Sequence, residues 1–220
     1  MKKQLFSNLS LAALAVTGGL MFASMSGCKD DTTPPVVTLN GDSEVDVMLG
    51  DSYDDEGATA TDDKDGDVTA SITSDFDDVV DFDMADEYTV TYTAMDDAMN
   101  SGTATRMVNV YIAAENLDGI WYVSYDACQD TAWQWSSTAS VSGIDDTKLI
   151  FADFGGYTGL NVTATIDNKT MTIASQIIGD YTILGNGTIA KDGKSIDYSY
   201  SITYNPDSSS DSCSGTMELQ

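Results

Sequence analysis

From Val36 onward the chain is a succession of short runs in which apolar and polar residues alternate. Val36-Val37-Thr38-Leu39, Glu44 to Leu49, Asp67 to Ile72, Glu87 to Ala94 and Thr103 to Ile112 are rich in Val, Thr and Tyr. Side chains of a strand point alternately to opposite faces, so a period of two builds a sheet with one apolar face. Gly-Asp, Asp-Gly and Asn-Ser-Gly punctuate the runs, as turn-forming residues do. The pattern predicts an antiparallel sandwich over 36–112 and no substantial helix. Residues 113–116 are expected to form a linker. A second set of runs fills 117–220: Leu117 to Val123, Lys148 to Phe151, Leu160 to Ile166, Thr170 to Ala174, Thr188 to Ala190, Ser195 to Tyr204 and Gly215 to Leu219. Hairpin-type turns at Asp167-Asn168-Lys169 and Lys191-Asp192-Gly193-Lys194 predict up-and-down succession, in a barrel or a meander sandwich. The expected fold class is all-β.

The first residues follow another pattern. Lys2 and Lys3 precede a mostly apolar run from Leu5 to Phe22, which ends in Met25-Ser26-Gly27-Cys28. Charge, a short apolar segment, small residues and then cysteine is the order of a secretory signal with a lipoprotein cleavage box. A membrane span needs about 20 apolar residues, and Thr17, Gly18, Gly19 and Ser24 dilute this one. The expectation is therefore a cleaved leader over 1–27, diacylglycerol and palmitate on Cys28, and a tether over 28–35 that Thr32-Thr33-Pro34-Pro35 keeps extended. Several acyl chains hold a membrane far better than one, each buried methylene contributing about 0.8 kcal/mol.

Charge removes one class of function. The formal net charge is -27, with 9 Lys and Arg against 36 Asp and Glu. Such a chain repels phosphates, so nucleic-acid binding is not expected. There is no histidine, which removes the commonest general base and the usual zinc ligand. No serine stands in a Gly-x-Ser-x-Gly elbow. Two carboxylates can run a glycosidase, but most of the aspartates lie in the small first module, where no cleft is expected. The reading is non-enzymatic. With Cys28 acylated, Cys128 and Cys213 remain as an even pair in an exported chain, near the start and end of the second domain. If that domain is a closed sheet, its first and last strands are neighbours, and the two cysteines are expected to form a disulfide.

Several segments resemble known families. Thr33-Pro34-Pro35-Val36-Val37-Thr38-Leu39-Asn40-Gly41, Leu49-Gly50-Asp51-Ser52-Tyr53, Gly57 to Asp62, Asp65-Gly66-Asp67-Val68-Thr69 and Tyr88 to Ala94 resemble the bacterial immunoglobulin-like module related to those of pesticidal crystal proteins. That resemblance implies a spacer or adhesion module without catalytic residues. Gly119-Ile120-Trp121 is similar to the head of lipocalin-like barrels, where the tryptophan closes the floor. Lys29-Asp30-Asp31 after Cys28 resembles the export tag of Bacteroidota surface lipoproteins, and a solvated acidic spacer is its plainer reading. The C-terminal domain also looks like domains of such lipoproteins, some associated with glycan uptake.

Two constellations are candidates for chemistry. Asp62, Asp63, Asp65 and Asp67 crowd a Gly-containing turn, and hard cations such as calcium take several oxygens that such a turn can bring together. An EF-hand is excluded, because Thr61 stands where its first aspartate belongs; the alternative is a solvated turn. Trp133 and Trp135 share a face if the segment is extended, and with Tyr125 nearby the two indoles could stack on the apolar faces of sugar rings. They equally suit a barrel interior. Trp121, and the Tyr198, Tyr200 and Tyr204 group, are expected in the core. The functional expectation is a lipid-anchored outer-membrane protein facing the exterior that binds or presents a glycan, with a polysaccharide or an outer-membrane glycan importer as partner. The alternatives are a structural or adhesive surface protein and a lipocalin-like carrier of an apolar ligand.

Overall fold

The computed structural model describes residues 30–128 and 131–220, without the side chains of residues 124, 125, 131 and 132. The expected leader and Cys28 lie outside the described residues. The first module holds β1 (Val36–Leu39), β2 (Glu44–Met48), β3 (Ala58–Asp62), β4 (Gly66–Asp67), β5 (Thr73–Ser74), a single helical turn α1 (Phe76–Val79), β6 (Glu87–Met95) and β7 (Ser101–Tyr111). One sheet runs β1-β3-β4 and the other β2-β7-β6-β5. The expected sandwich forms, with one departure: β2 lies parallel to β7. The expected strand over 67–72 is interrupted, because Thr69–Ser71 form a 3-10 turn between the two sheets. Val47, Val90, Tyr92, Val108 and Val110 fill the space between the sheets.

Arg106 is also fully buried in this module. It pairs with Asp55, donates through Nε to the Asp42 carbonyl at 2.9 Å, and reaches the Asn40 carbonyl and the Tyr92 hydroxyl. These four bonds offset the cost of taking the guanidinium out of water. Arg106 thereby pins residues 40–42 and 55 to the β6–β7 hairpin.

The second module is a closed barrel of eight antiparallel strands: β8 (Gly119–Cys128), β9 (Thr131–Val141), β10 (Lys148–Phe151), β11 (Val162–Asp167), β12 (Thr170–Ile178), β13 (Tyr181–Ile189), β14 (Ser195–Tyr204) and β15 (Ser209–Leu219). Each strand pairs with the next, and β15 returns to pair with β8. Of the two architectures left open, the barrel forms. Close β13–β14 pairing needs Gly185, where a Cβ would stand 2.5 Å from the Ser199 carbonyl oxygen. Trp121 is buried as expected, its indole donating to the Leu117 carbonyl at 2.9 Å. Leu149, Phe151, Met171, Ile183, Ile196 and Met217 share that core. Among the described residues no helix is long and apolar enough to cross a membrane.

The segment expected as a linker is packed instead. Ala114–Leu117 form a 3-10 turn whose Ala114 and Leu117 are buried against the barrel core, and Asn116 Nδ2 donates to the Leu49 carbonyl at 2.9 Å. Both expected hairpin turns of the barrel touch the first module. Ala85 N donates to the Lys191 carbonyl at 2.7 Å, Ile112 N to Asn168 Oδ1 at 3.3 Å, and Asp86 pairs with Lys191 and lies 3.7 Å from Lys169.

Closure brings Cys128 opposite Cys213, and the expected disulfide forms. For a sequence separation of 85, chain-entropy reasoning gives a stabilisation of about 4–5 kcal/mol. Reduction is therefore expected to lower the thermal midpoint of the barrel by at least about 10 °C and to leave the transition of the first module in place. Calorimetry with and without dithiothreitol checks this.

Candidate functional site

The end of the barrel opposite the first module is built from the β8–β9 hairpin, the β10–β11 loop, and the ends of β12 to β15 near residues 178–181 and 204–209. The β10–β11 loop inserts Phe154 into the interior, 5.2 Å from the Trp135 ring and 4.9 Å from that of Tyr200. Gly155 and Gly156 follow it in left-handed backbone, which lets the chain fold back over Trp135 and Tyr200.

Structure separates the two tryptophans that the sequence puts on one face. Both point inward along β9, but Trp135 lies one pair deeper and is 6% exposed, whereas Trp133 sits at the rim and is 44% exposed. Trp135 is therefore packed in the core, as the barrel-interior alternative expects, while its edge also borders the rim cleft. The Tyr125 side chain lies outside the described residues. Tyr198 and Tyr200 are buried as expected, but Tyr204, expected in the core, is 36% exposed at the same rim.

Beside Trp135 lies a buried polar group that the sequence does not announce. Asp126 is fully enclosed, and its Oδ2 accepts from Trp135 Nε1 at 2.8 Å and from the Tyr200 hydroxyl at 3.0 Å. Burial, and next the charge of Asp126, push the Tyr198 and Tyr200 hydroxyls far above the usual tyrosine range. Their neutral forms are required for the packed barrel.

Above this layer the rim carries rings in sequence. Tyr157 and Tyr181 lie 5.6 Å apart and Tyr181 and Tyr204 5.5 Å apart. Trp133, Trp135, Gly155, Gly156 and Tyr157 line one cleft of about 240 Å³ together with Gln134. Tyr157, Tyr181, Ile202, Tyr204, Ser209 and Asp211 line another of about 280 Å³. The two clefts share Tyr157. Sequence reasoning missed Tyr157 and Tyr181 because they belong to distant loops and strand ends that meet only when the barrel closes.

The acidic turn of the first module is also divided. Asp63 pairs with Lys64 at the surface, and that ammonium holds its carboxyl below the usual range. Asp67 receives Thr69 N at 3.0 Å, and its bonds to Thr69 lower it likewise. Asp62 and Asp65 turn the other way, towards Asp31 and Asp96.

A family model described as the Ig-like domain of bacterial surface proteins matches residues 37–110. The first module is thus like those of bacterial surface proteins. No curated protein matches. Among solved structures, a lipoprotein (BT2262) from Bacteroides thetaiotaomicron is similar at 16% identity and TM-score 0.35, over 84% of this chain and all of that one. A protein of unknown function from Bacteroides ovatus is similar at 10% identity and TM-score 0.34, over 85% of this chain and 95% of that one. A protein of unknown function of the DUF3598 family from Nostoc punctiforme is similar at 14% identity and TM-score 0.34, over 61% of this chain and 62% of that one. Likenesses this distant carry no argument about the barrel or its rim.

The buried phenols generate a pH prediction. Tyr92 joins Tyr198 and Tyr200, raised by burial and by its bond to Asp55. Folded values above the ordinary 10.0 mean that unfolding releases protons more readily at high pH, so stability is held below pH 10 and lost above it. Each such tyrosine contributes a slope of about 1.4 kcal/mol per pH unit. In an alkaline titration, part of the phenolate absorbance is expected to appear only together with loss of the β signal in circular dichroism. All 11 tyrosines titrating before the fold is lost would contradict this.

Proposed function

We propose that this chain is a non-catalytic cell-surface protein whose barrel holds a neutral glycan at its aromatic rim. The observation that carries the reading is the placement of Trp133, Tyr157, Tyr181 and Tyr204, partly exposed, around two connected clefts at the end of the barrel away from the Ig-like module. Sugar rings present apolar C–H faces that stack on such side chains, and Gln134, Ser209 and Asp211 offer polar groups for their hydroxyls. The net charge of -27 favours a neutral ligand over an anionic one. Large side chains fill the barrel interior, so the rim is better placed to hold a ligand than a central cavity is.

Location belongs to the same proposal. With Cys28 acylated in the outer membrane and the Ig-like module as a stalk, the rim is held outermost, where it can meet a polysaccharide or pass it to an outer-membrane importer. The match of residues 37–110 to a surface-protein module supports this arrangement.

Affinity electrophoresis in gels containing neutral polysaccharides, after a glycan-array screen, tests the reading. Trp133→Ala is expected to reduce retention at least about tenfold, by removing one stacking contact worth ~1.5 kcal/mol, with little change in thermal midpoint. Trp135→Ala is expected instead to destabilise the barrel by about 3–5 kcal/mol. An unretained wild-type protein across the panel would favour the adhesive reading, in which the surfaces of the modules meet other proteins.

A further inference from the structure

The other end of the Ig-like module holds a second site. Asp31 stands in the lead-in, Asp62 at the end of β3, Asp65 in the β3–β4 turn, and Asp96 in the loop joining β6 to β7. One carboxylate oxygen of each lies within 4.8 Å of those of the other three. Four negative groups from three separate segments are brought together against their own repulsion.

Backbone amides orient them. Thr33 N donates to Asp31 Oδ1 at 3.0 Å, Lys64 N and Asp65 N to Asp62 Oδ1 at 2.8 and 3.1 Å, and Asp97 N to Asp65 Oδ2 at 2.9 Å. Asp96, only 6% exposed, is held through both oxygens by Asn100 N and Nδ2, each at 2.7 Å. The remaining oxygens of Asp31 and Asp62 are the independent observation. Asp31 Oδ2 and Asp62 Oδ2 are both shut off from solvent, and among the described residues neither has a hydrogen-bond partner. A buried carboxylate oxygen without donor or cation carries a large desolvation penalty. Lys64 does not relieve it: its ammonium feels Asp31 and Asp62 but donates to Asp63.

We propose that Asp31, Asp62, Asp65 and Asp96 bind one calcium ion. The donors are all hard oxygens, which suits calcium and not the metals that prefer nitrogen or sulfur. Calcium–oxygen distances of about 2.3–2.6 Å place opposite ligands about 4.8 Å apart, so one ion can touch all four. The ion ties the lead-in to two loops. Pro35 is already seated there, its carbonyl so close to Gly102 that a Cβ would stand 1.8 Å from it. Calcium would complete that attachment and stiffen the junction at which the chain enters the module.

Calcium titration calorimetry on the chelator-treated, full-length protein tests the proposal at constant ionic strength. One ion per chain is expected, with a dissociation constant of about 10⁻⁴–10⁻³ M, as in extracellular modules. Asp31→Asn and Asp62→Asn keep the amide-bonded oxygen and the shape, and each is expected to weaken binding at least about tenfold. Asp63→Asn removes the same charge from the same turn but lies outside the cluster, and it should bind within about twofold of wild type. The thermal midpoint of the first module should rise with calcium in wild type and Asp63→Asn and stay flat in the other two. No saturable heat up to about 10 mM calcium, or equal weakening in all three variants, would overturn the site and leave only a diffuse ion atmosphere. Failure here leaves the glycan reading of the rim untouched, because the two sites share no residue.

Discussion

The pairing of β15 with β8 is the constraint on which the second module depends. Every other pair in the barrel joins strands that follow one another in sequence, and only this one joins the first strand to the last. Without it the barrel would be an open meander with two unpaired edges, each a template for aggregation. With it, Cys128 faces Cys213, an interior is enclosed, and Asp126 finds donors on β9 and β14. The rim aromatics come from β9, β13, β14 and the β10–β11 loop, so they too meet only in a closed barrel. Closure is a long-range event whose loop entropy must be met by many contacts at once, and the disulfide lowers that cost.

Arg106 in the first module and Asp126 in the barrel are both fully buried, and the two are handled differently. Arg106 is satisfied by two backbone carbonyls, a carboxylate and a phenol, so it works as a clamp on the loops around it. Asp126 accepts two side-chain bonds at Oδ2, while among the described residues none donates to its Oδ1. Replacing either partner of such a group costs more than the bond it makes, since the other is left buried and unpaired. The sandwich is therefore fixed by a polar clamp as well as by its valines, and the barrel by an aromatic layer over a carboxylate.

Strand periodicity made the all-β class legible, and an even pair of cysteines near the two ends of the second domain made the disulfide legible. β1, β2, β6 and β7 stand close to where alternation puts them, because their less exposed residues recur at every second position. β9 and the first half of β13 were missed. β9 alternates small Ser, Thr and Ala residues beyond its tryptophans, which gives little hydrophobic contrast, and Gly185 and Gly187 break the pattern of β13. Sequence could place Trp133 and Trp135 on one face but not tell rim from interior, since depth along a strand depends on where the barrel ends. The acidic turn was half legible. Asp62 and Asp65 belong to the cluster, but Asp31 and Asp96 lie about thirty residues to either side and join it through tertiary folding.

The order of these features along the molecule has a physical logic. β6 begins beside the barrel, where Asp86 meets Lys191, and ends at Met95 beside the acidic cluster; β7 runs back to Tyr111 and the docked Ala114–Leu117 turn. The acidic cluster, the Ig-like sheets, the docking contacts, the barrel and the aromatic rim thus follow one another along the molecule, although their residues are interleaved in the chain. A stalk that presents a rim gains little if either junction is loose, because a freely jointed arm samples directions that face no ligand. At the junction between modules, the buried Ala114 and Leu117 and the Asp86 ion pairs supply the stiffness. At the other junction stand four carboxylates, and among the described residues no cation touches their buried oxygens. In a protein with net charge -27, self-repulsion would loosen that end first. A divalent ion bound there would do what Leu117 does at the other junction, and would do it only where calcium is plentiful.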